Sequence, residues 1–300
     1  MEIRVLRYFL AIAREKSITA AAEQLHITQP TLSRQIRDLE DELGQKLFAR
    51  SSHSMKLTQE GFIFRQRAEE IVSMVDKTAA EFLSMEQSVA GDIYIGGGET
   101  LAISLIAELI AELREEYPDI RYHLYSGNEA DVTERLDRGL LDFGILVQPA
   151  DLTKYDCLSF PNKDIWGVVM RKDDPLAEKE TVTKADLLER PLIMSRQVLM
   201  TKSAGNDLAD WFGTDFDKLN IVTTFNLMFN AALMVKAGVG YAVSIGGIVN
   251  TSDESGLCFR PLHPKMLSGL DLIWKKYQAF SPAAELFLSR LQMRLKSGQK

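Results

Sequence analysis

Between residues 59 and 88 the chain places Phe64, Ala68, Ile71, Val75, Thr78, Phe82 and Met85 at alternating intervals of four and three, with no proline and one glycine, Gly61, near the start. That period is one face of an uninterrupted helix. About 30 residues at 1.5 Å each make a rod of roughly 45 Å. A single narrow stripe on so long a rod wants a second helix against it, and another copy of the same helix is the economical partner. Packing of the stripe on its own domain is the alternative. The seven residues are therefore candidate dimerisation contacts, and the rod divides the chain into 1–58, 59–89 and 90–300.

The first segment is dense in short helical signals. Val5, Leu6, Phe9, Leu10, Ile12 and Ala13 form a helical stripe. Ser17 reads as an N-cap before an alanine-rich helix, and Thr28 as the next, its hydroxyl accepting a backbone N–H. Pro30 then falls in the first turn, where a missing N–H does no harm. Leu32, Ile36, Leu39 and Leu43 give one buried face, and Gly44 a stop. "KLFARSSHSMKLT" reads as two short extended pieces joined by a polar turn.

The opposite face of that third helix presents Pro30, Arg34, Arg37 and Asp41, with Ser33 at its edge and Gln29 and Thr31 at the leading turn. Such a helix fits the major groove, with its N-terminal residues at base edges. Gln29 can pair with adenine, Pro30 and Thr31 can touch a thymine methyl, and Arg34 can take guanine or phosphate. Ser33 and Arg37 suit phosphate. Asp38, Glu40, Asp41 and Glu42 cluster at the far end, which supports insertion by the N-terminus. A solvated charged face is the bland alternative.

Composition narrows the class. The chain has 300 residues with 35 basic and 42 acidic side chains, which argues against indiscriminate coating of nucleic acid. Cys157 and Cys258 form no CxxC pair and read as reduced packing residues. His26, His53, His123 and His263 show no metal-ligand spacing. The N-terminus does not read as a signal peptide, and no run approaches the ~18 apolar residues of a membrane span. A cytoplasmic location is expected.

Residues 90–300 alternate strands and helices, which predicts parallel sheets covered by helices, in two runs and hence two lobes. Ligands of such sheets sit outside the C-terminal strand ends, here in a cleft between lobes. Loop positions after strands supply the candidates: Gly98, Glu99 and Thr100; Ser126, Gly127 and Asn128; Val147 and Gln148; Ser195, Arg196 and Gln197; Met200 and Thr201; Phe225 and Asn226; Ser244. The mixture suits a small, partly apolar organic metabolite. Glu99 would disfavour a carboxylate ligand unless Arg196 or protonation compensates, or it is simply an acid at a helix start. "GGGET" lacks the ending of a P-loop, and Ser195 has no GxSxG around it. No catalytic constellation emerges, so no enzymatic activity and no cofactor are expected.

The stretch "LRYFLAIAREKSITAAAEQLHITQPTLSRQIRDLEDELGQKLFAR" resembles the winged helix-turn-helix of the LysR-type transcriptional regulators. "YPDI", "GLLDFGI", "AGVGYAVS" and "SPAAELFLSRL" resemble pieces of that family's effector domain, so the likeness covers the whole chain. It implies an all-α winged helix-turn-helix, a linker helix and an α/β effector domain like the type 2 periplasmic binding proteins. One lobe would be 90–161 and 266–296, the other 162–265. It implies a hydroxyl for the effector near Thr100. It also implies a basic wing, where Arg50 and Lys56 fit but His53 stands at a position usually basic. The partners implied are double-stranded DNA with an imperfect palindrome, a small organic metabolite, and further copies as a homodimer or homotetramer. The function implied is sequence-specific transcription regulation, with DNA binding or bending controlled by an effector. A small-molecule-binding protein or enzyme on the same two-lobed fold is the alternative.

Overall fold

The computed structural model of the protein describes residues 1–50, 55–84, 89–200 and 207–297. The chain divides into two compact units, Met1–Leu83 and Ser84–Lys300.

The first unit contains α1 (Ile3–Glu15), α2 (Ile18–Gln24), α3 (Gln29–Leu43), strands β1 (Phe48–Arg50) and β2 (Met55–Leu57), and α4 (Gln59–Ser84). The Ser17 hydroxyl accepts from the Ala20 N–H at 3.3 Å and starts α2. Thr28 holds the N-cap position of α3 but makes no cap bond through its side chain; its hydroxyl lies 2.8 Å from that of Thr31. Extended backbone at Thr28 and Pro30 in the first turn set the helix start instead. Gly44 ends α3 in the left-handed region, at φ 65°. Leu6, Phe9, Ile12, Ala21, Leu32, Ile36 and Leu39 form the core, closed by Leu47 and Phe48 at β1. Leu43, expected on the buried face, is exposed on the last turn. Strands β1 and β2 pair antiparallel, Phe48 opposite Leu57 and Arg50 opposite Met55.

Helix α4 begins two residues after β2, so its first turns return over α1. Phe64 meets the Phe9 ring edge-on at 4.9 Å, and Ala68 is fully buried in the same core. These two residues are therefore core of their own unit rather than a face for a second copy, which corrects the expectation for the start of the stripe. Further along, Ile71 is 38% exposed, Val75 is half-buried and Thr78 is exposed. Arg7 pairs with Asp76 and fixes α4 to α1. The side chain of Phe82, and Met85 altogether, lie outside the described residues.

The second unit holds two sheets. The first gathers β3 (Gly91–Gly97), β4 (Ile120–Ser126), β5 (Phe143–Val147) and β6 (Tyr155–Ser159), with α5 (Ile103–Glu116) and α6 (Glu129–Asp137) between them. The chain then enters the second sheet through β7 (Asp164–Arg171), β8 (Val182–Thr183), α7 (Lys184–Leu187), β9 (Leu192–Ser195), α8 (Arg196–Met200), α9 (Asp207–Phe212), β10 (Ile221–Phe225), α10 (Met228–Lys236), β11 (Tyr241–Ile245), β12 (Leu257–His263) and β13 (Leu267–Ser268). It returns to the first sheet as β14 (Leu270–Lys275) and ends in α11 (Pro282–Ser297). Strand orders are β4-β3-β5-β14-β6 and β10-β9-β11-β7-β12-β8, with β13 on β7.

Both sheets are covered on two faces. Ile93, Ile95, Ile106, Leu109, Phe143 and Phe287 pack on one face of the first, and Val132, Leu136, Leu146 and Ile273 on the other. Val168, Met194 and Phe212 pack on one face of the second, and Val169, Ile193, Met228 and Ala231 on the other. The pairs β3–β4, β3–β5, β9–β10 and β9–β11 are parallel, as the alternation predicts. Strands β7 and β14 run antiparallel to neighbours in their sheets. Each arrives from the other lobe rather than through a helical return, so alternation does not report its direction. Cys258 is buried, whereas Cys157, expected as a packing residue, is exposed.

Candidate functional site

The leading end of α3 is the first candidate. Leu32, Ile36 and Leu39 hold the helix to α1 and α2, and Gln29, Pro30, Thr31, Arg34 and Arg37 stand exposed on the remaining surface. The Arg34 side chain is 80% exposed and only loosely paired with Asp38, at 3.8 Å. Ser33 does not join this surface. It is buried at 7% exposure, because its place one residue after Leu32 turns it inward with the core face. Lys56 is exposed on β2, opposite Ala49. The side chain of Arg50, and His53 altogether, lie outside the described residues.

Glu40 departs from the acidic cluster it was grouped with. It is buried, and one oxygen accepts the N–H groups of Leu47 at 2.9 Å and Phe48 at 3.2 Å. The other takes the Lys46 ammonium at 2.9 Å. Its charge therefore ties the end of α3 to the hairpin rather than repelling DNA.

The second candidate is a cavity of about 140 Å³ between the two sheets of the Ser84–Lys300 unit. From the first sheet's side come Gly98, Glu99, Gly127, Asn128, Glu129, Val147 and Gln148. From the other side come Trp166, Ser195, Gln197, Asp207, Phe225, Asn226, Met228, Ser244 and Met266. The space is comparable to a cavity of ~150 Å³ that holds benzene. Asn128 and Asp131 form a reciprocal capping box that starts α6 beside it. Gly127 is required there, since a Cβ would sit 2.9 Å from the side chains of Asp131 and Tyr125.

Polar contacts join the lobes around this space. Gln197 donates to a Glu129 carboxylate oxygen at 2.7 Å and accepts the Glu129 N–H at 3.3 Å. Glu99 accepts the Met228 N–H at the start of α10. It is thus an acid at a helix start, but of a helix in the other lobe. Within the second sheet, Trp166 donates its indole N–H to Ser268 at 2.6 Å. Burial holds the Glu129 carboxyl above the usual range, against bonds from Asp151 and Gln197 that lower it.

Three expected residues do not line the cavity. Thr100 is buried, and its hydroxyl donates to Asp164 at 2.6 Å. Ser126 and Arg196 are exposed elsewhere. The exposed Arg196 therefore does not compensate Glu99. Thr201 and the side chain of Met200 lie outside the described residues. Sequence reading missed Glu129, Trp166, Asp207, Met228 and Met266. For Glu129 the "NEAD" capping pattern was a usable signal; Trp166 sits within a strand, where loop position gives no hint. Among the described residues no group of acids, cysteines and histidines could hold a metal, and no helix is long and apolar enough to cross a membrane.

Known proteins resemble the chain across both units. The family model for the bacterial regulatory helix-turn-helix protein of the lysR family matches residues 3–62, and that for the LysR substrate binding domain matches residues 86–296. The transcriptional regulator BsdA of Bacillus subtilis is 33% identical over 224 residues, 74% of each chain. The Hca operon transcriptional activator HcaR of Escherichia coli is 30% identical over 298 residues, 99% of each. Full-length CbnR, solved in complex with its target DNA, superposes with a TM-score of 0.73 over 99% of both chains at 18% identity, a likeness of fold.

Proposed function

The chain belongs to the LysR family and is a DNA-binding transcription regulator with an effector-binding domain, and from that premise we propose how its residues divide the work. Gln29, Pro30, Thr31 and Arg34 read base edges, and Arg37, Arg50 and Lys56 engage phosphates, with His53 as a further contact. The observation that carries this is the exposure of the leading end of α3 while its other face is locked into the core. Two copies related by a two-fold axis would read an imperfect palindrome. A homodimer forms through the part of α4 that the unit's own core does not use, and homodimers pair into a tetramer.

The cleft holds a small organic effector. It bridges both lobes, so a ligand that favours one lobe angle shifts the placement of the readers in the assembly. The protein acts by binding and not by catalysis, and it works in the cytoplasm, where its DNA partner is. The boundaries 1–58, 59–89 and 90–300 serve as its three functional segments.

Selection of bound sequences from random duplex DNA tests the reading. A two-fold symmetric consensus that changes when Arg34 is replaced supports it. Enrichment of no sequence, or a consensus indifferent to Arg34 and Gln29, sinks it.

A further inference from the structure

Several donors around the interlobe cavity already have partners within the protein. Glu99 already accepts the Met228 N–H, so a carboxylate of the protein itself sits at the positive end of α10. At the start of α6 the Asp131 N–H goes to Asn128 at 3.0 Å and the Glu129 N–H to Gln197 at 3.3 Å. Some of the helix-start N–H groups that an anionic ligand could use are thus taken. The Trp166 indole N–H serves Ser268, and the Gln148 amide serves Asp271 at 2.6 Å.

Against those spent donors stand the carboxylates of Glu99, Glu129 and Asp207. No lysine, arginine or histidine lines the cavity among the described residues. Trp166 and Phe225 add aromatic faces, which attract cations through the ring quadrupole. Carboxylate and aromatic face together are the chemistry that recognises an organic ammonium.

We propose that the effector is a small organic cation, an amine about the size of one six-membered ring, held by Glu129 and Glu99 against Trp166 and Phe225. This rests on reading the cleft as the effector site. Burial already disfavours the ionised form of Glu129, and a cation beside it would restore that form.

Isothermal titration of the full-length protein at neutral pH with benzylamine, benzyl alcohol and benzoate tests the idea, since the three share a frame and differ in charge. Benzylamine is expected to bind at least about 10-fold more tightly than benzoate. Glu129→Gln keeps an acceptor for Gln197 and removes the charge; it and Glu99→Gln should each weaken benzylamine about 10-fold and leave benzyl alcohol unchanged. Gly98→Leu adds bulk at the cavity wall, where a Cβ has no atom nearer than 3.8 Å. It should abolish binding of every probe. Benzoate binding as well as benzylamine, and lost in Gly98→Leu, overturns the cation and keeps the cleft. Binding of benzylamine that survives Gly98→Leu overturns the cleft reading itself. No binding of any probe at about 10 mM overturns the proposal.

Discussion

The Thr100 hydroxyl donates to Asp164 Oδ2 at 2.6 Å, and both side chains are buried. Thr100 stands just before α5 beside the first sheet, and Asp164 opens β7, the strand by which the chain enters the second. The pair therefore staples the lobes next to the crossover. A hydroxyl that reads as effector-facing from its place after β3 is instead part of the hinge.

Burial holds the Asp164 carboxyl above the ordinary range, with the Thr100 bond acting in the opposite sense. A raised native pKa means that the native state binds this proton more tightly than the unfolded chain does. The site's contribution to stability therefore falls as pH rises through the raised value. Asp164→Asn keeps an acceptor for Thr100 without a buried charge. Its melting temperature at pH 7 should match or exceed that of the parent by about 2 °C, with the difference vanishing towards pH 4. A loss of more than about 4 °C at pH 7 would mean that the carboxylate itself is needed.

A second buried acid is tied into the backbone. Glu40 gives one oxygen to two backbone N–H groups at the start of the β1–β2 hairpin. Glu40→Ala leaves both without a partner and should cost about 2–3 kcal/mol. Glu40→Gln retains one acceptor and should cost less. Thermal unfolding of the full chain, with anisotropy on an operator duplex, reads both effects. Equal stability of Glu40→Ala and the parent would remove Glu40 from the architecture.

These two acids show where the sequence is legible. Periodicity with Ser17, Pro30 and Gly44 announces α2 and α3, and strand–helix alternation the parallel strand pairs, because those features are local. Ser17, Gly44 and Pro30 act on their own helix within a turn. Glu40, Asp164 and Thr100 are decided by partners 7, 64 and 64 positions away, and no local pattern encodes them. Ser33 fails for a related reason: one residue past Leu32, a face assigned by spacing alone is ambiguous. In the cleft, loop position recovers Glu99, Asn128 and Phe225, but it misses Trp166, whose side chain leaves from a strand.

At the DNA end, Arg34→Ala and Gln29→Ala should each weaken specific binding by roughly 1–3 kcal/mol and relax base preference. Lys56→Ala should weaken all duplexes alike and reduce the salt dependence by one charge or less. His53→Arg should tighten binding at low salt without altering preference, since arginine adds phosphate and minor-groove attraction that neutral histidine lacks. Anisotropy titrations against matched and mismatched duplexes at several salt concentrations separate the three behaviours. Sequence preference unchanged in both α3 variants would take the reading role from α3.

On α4 the core and the assembly face can be told apart by substitution. Phe64 packs on Phe9 within its own unit, so Phe64→Ala should cost about 3 kcal/mol of folding stability, visible at any protein concentration. Ile71 lies 38% exposed, and Phe62 and Ile63 are each 63% exposed on the same helix. Ile71→Asp should leave the melting temperature at low concentration nearly unchanged, while it shifts sedimentation at micromolar concentration towards the monomer. The physical difference is that a buried ring is lost to folding, whereas the exposed part of an isoleucine gains burial against a second copy. If Ile71→Asp sediments as the parent does, the copies meet elsewhere, and Phe62 and Ile63 become the residues to change next.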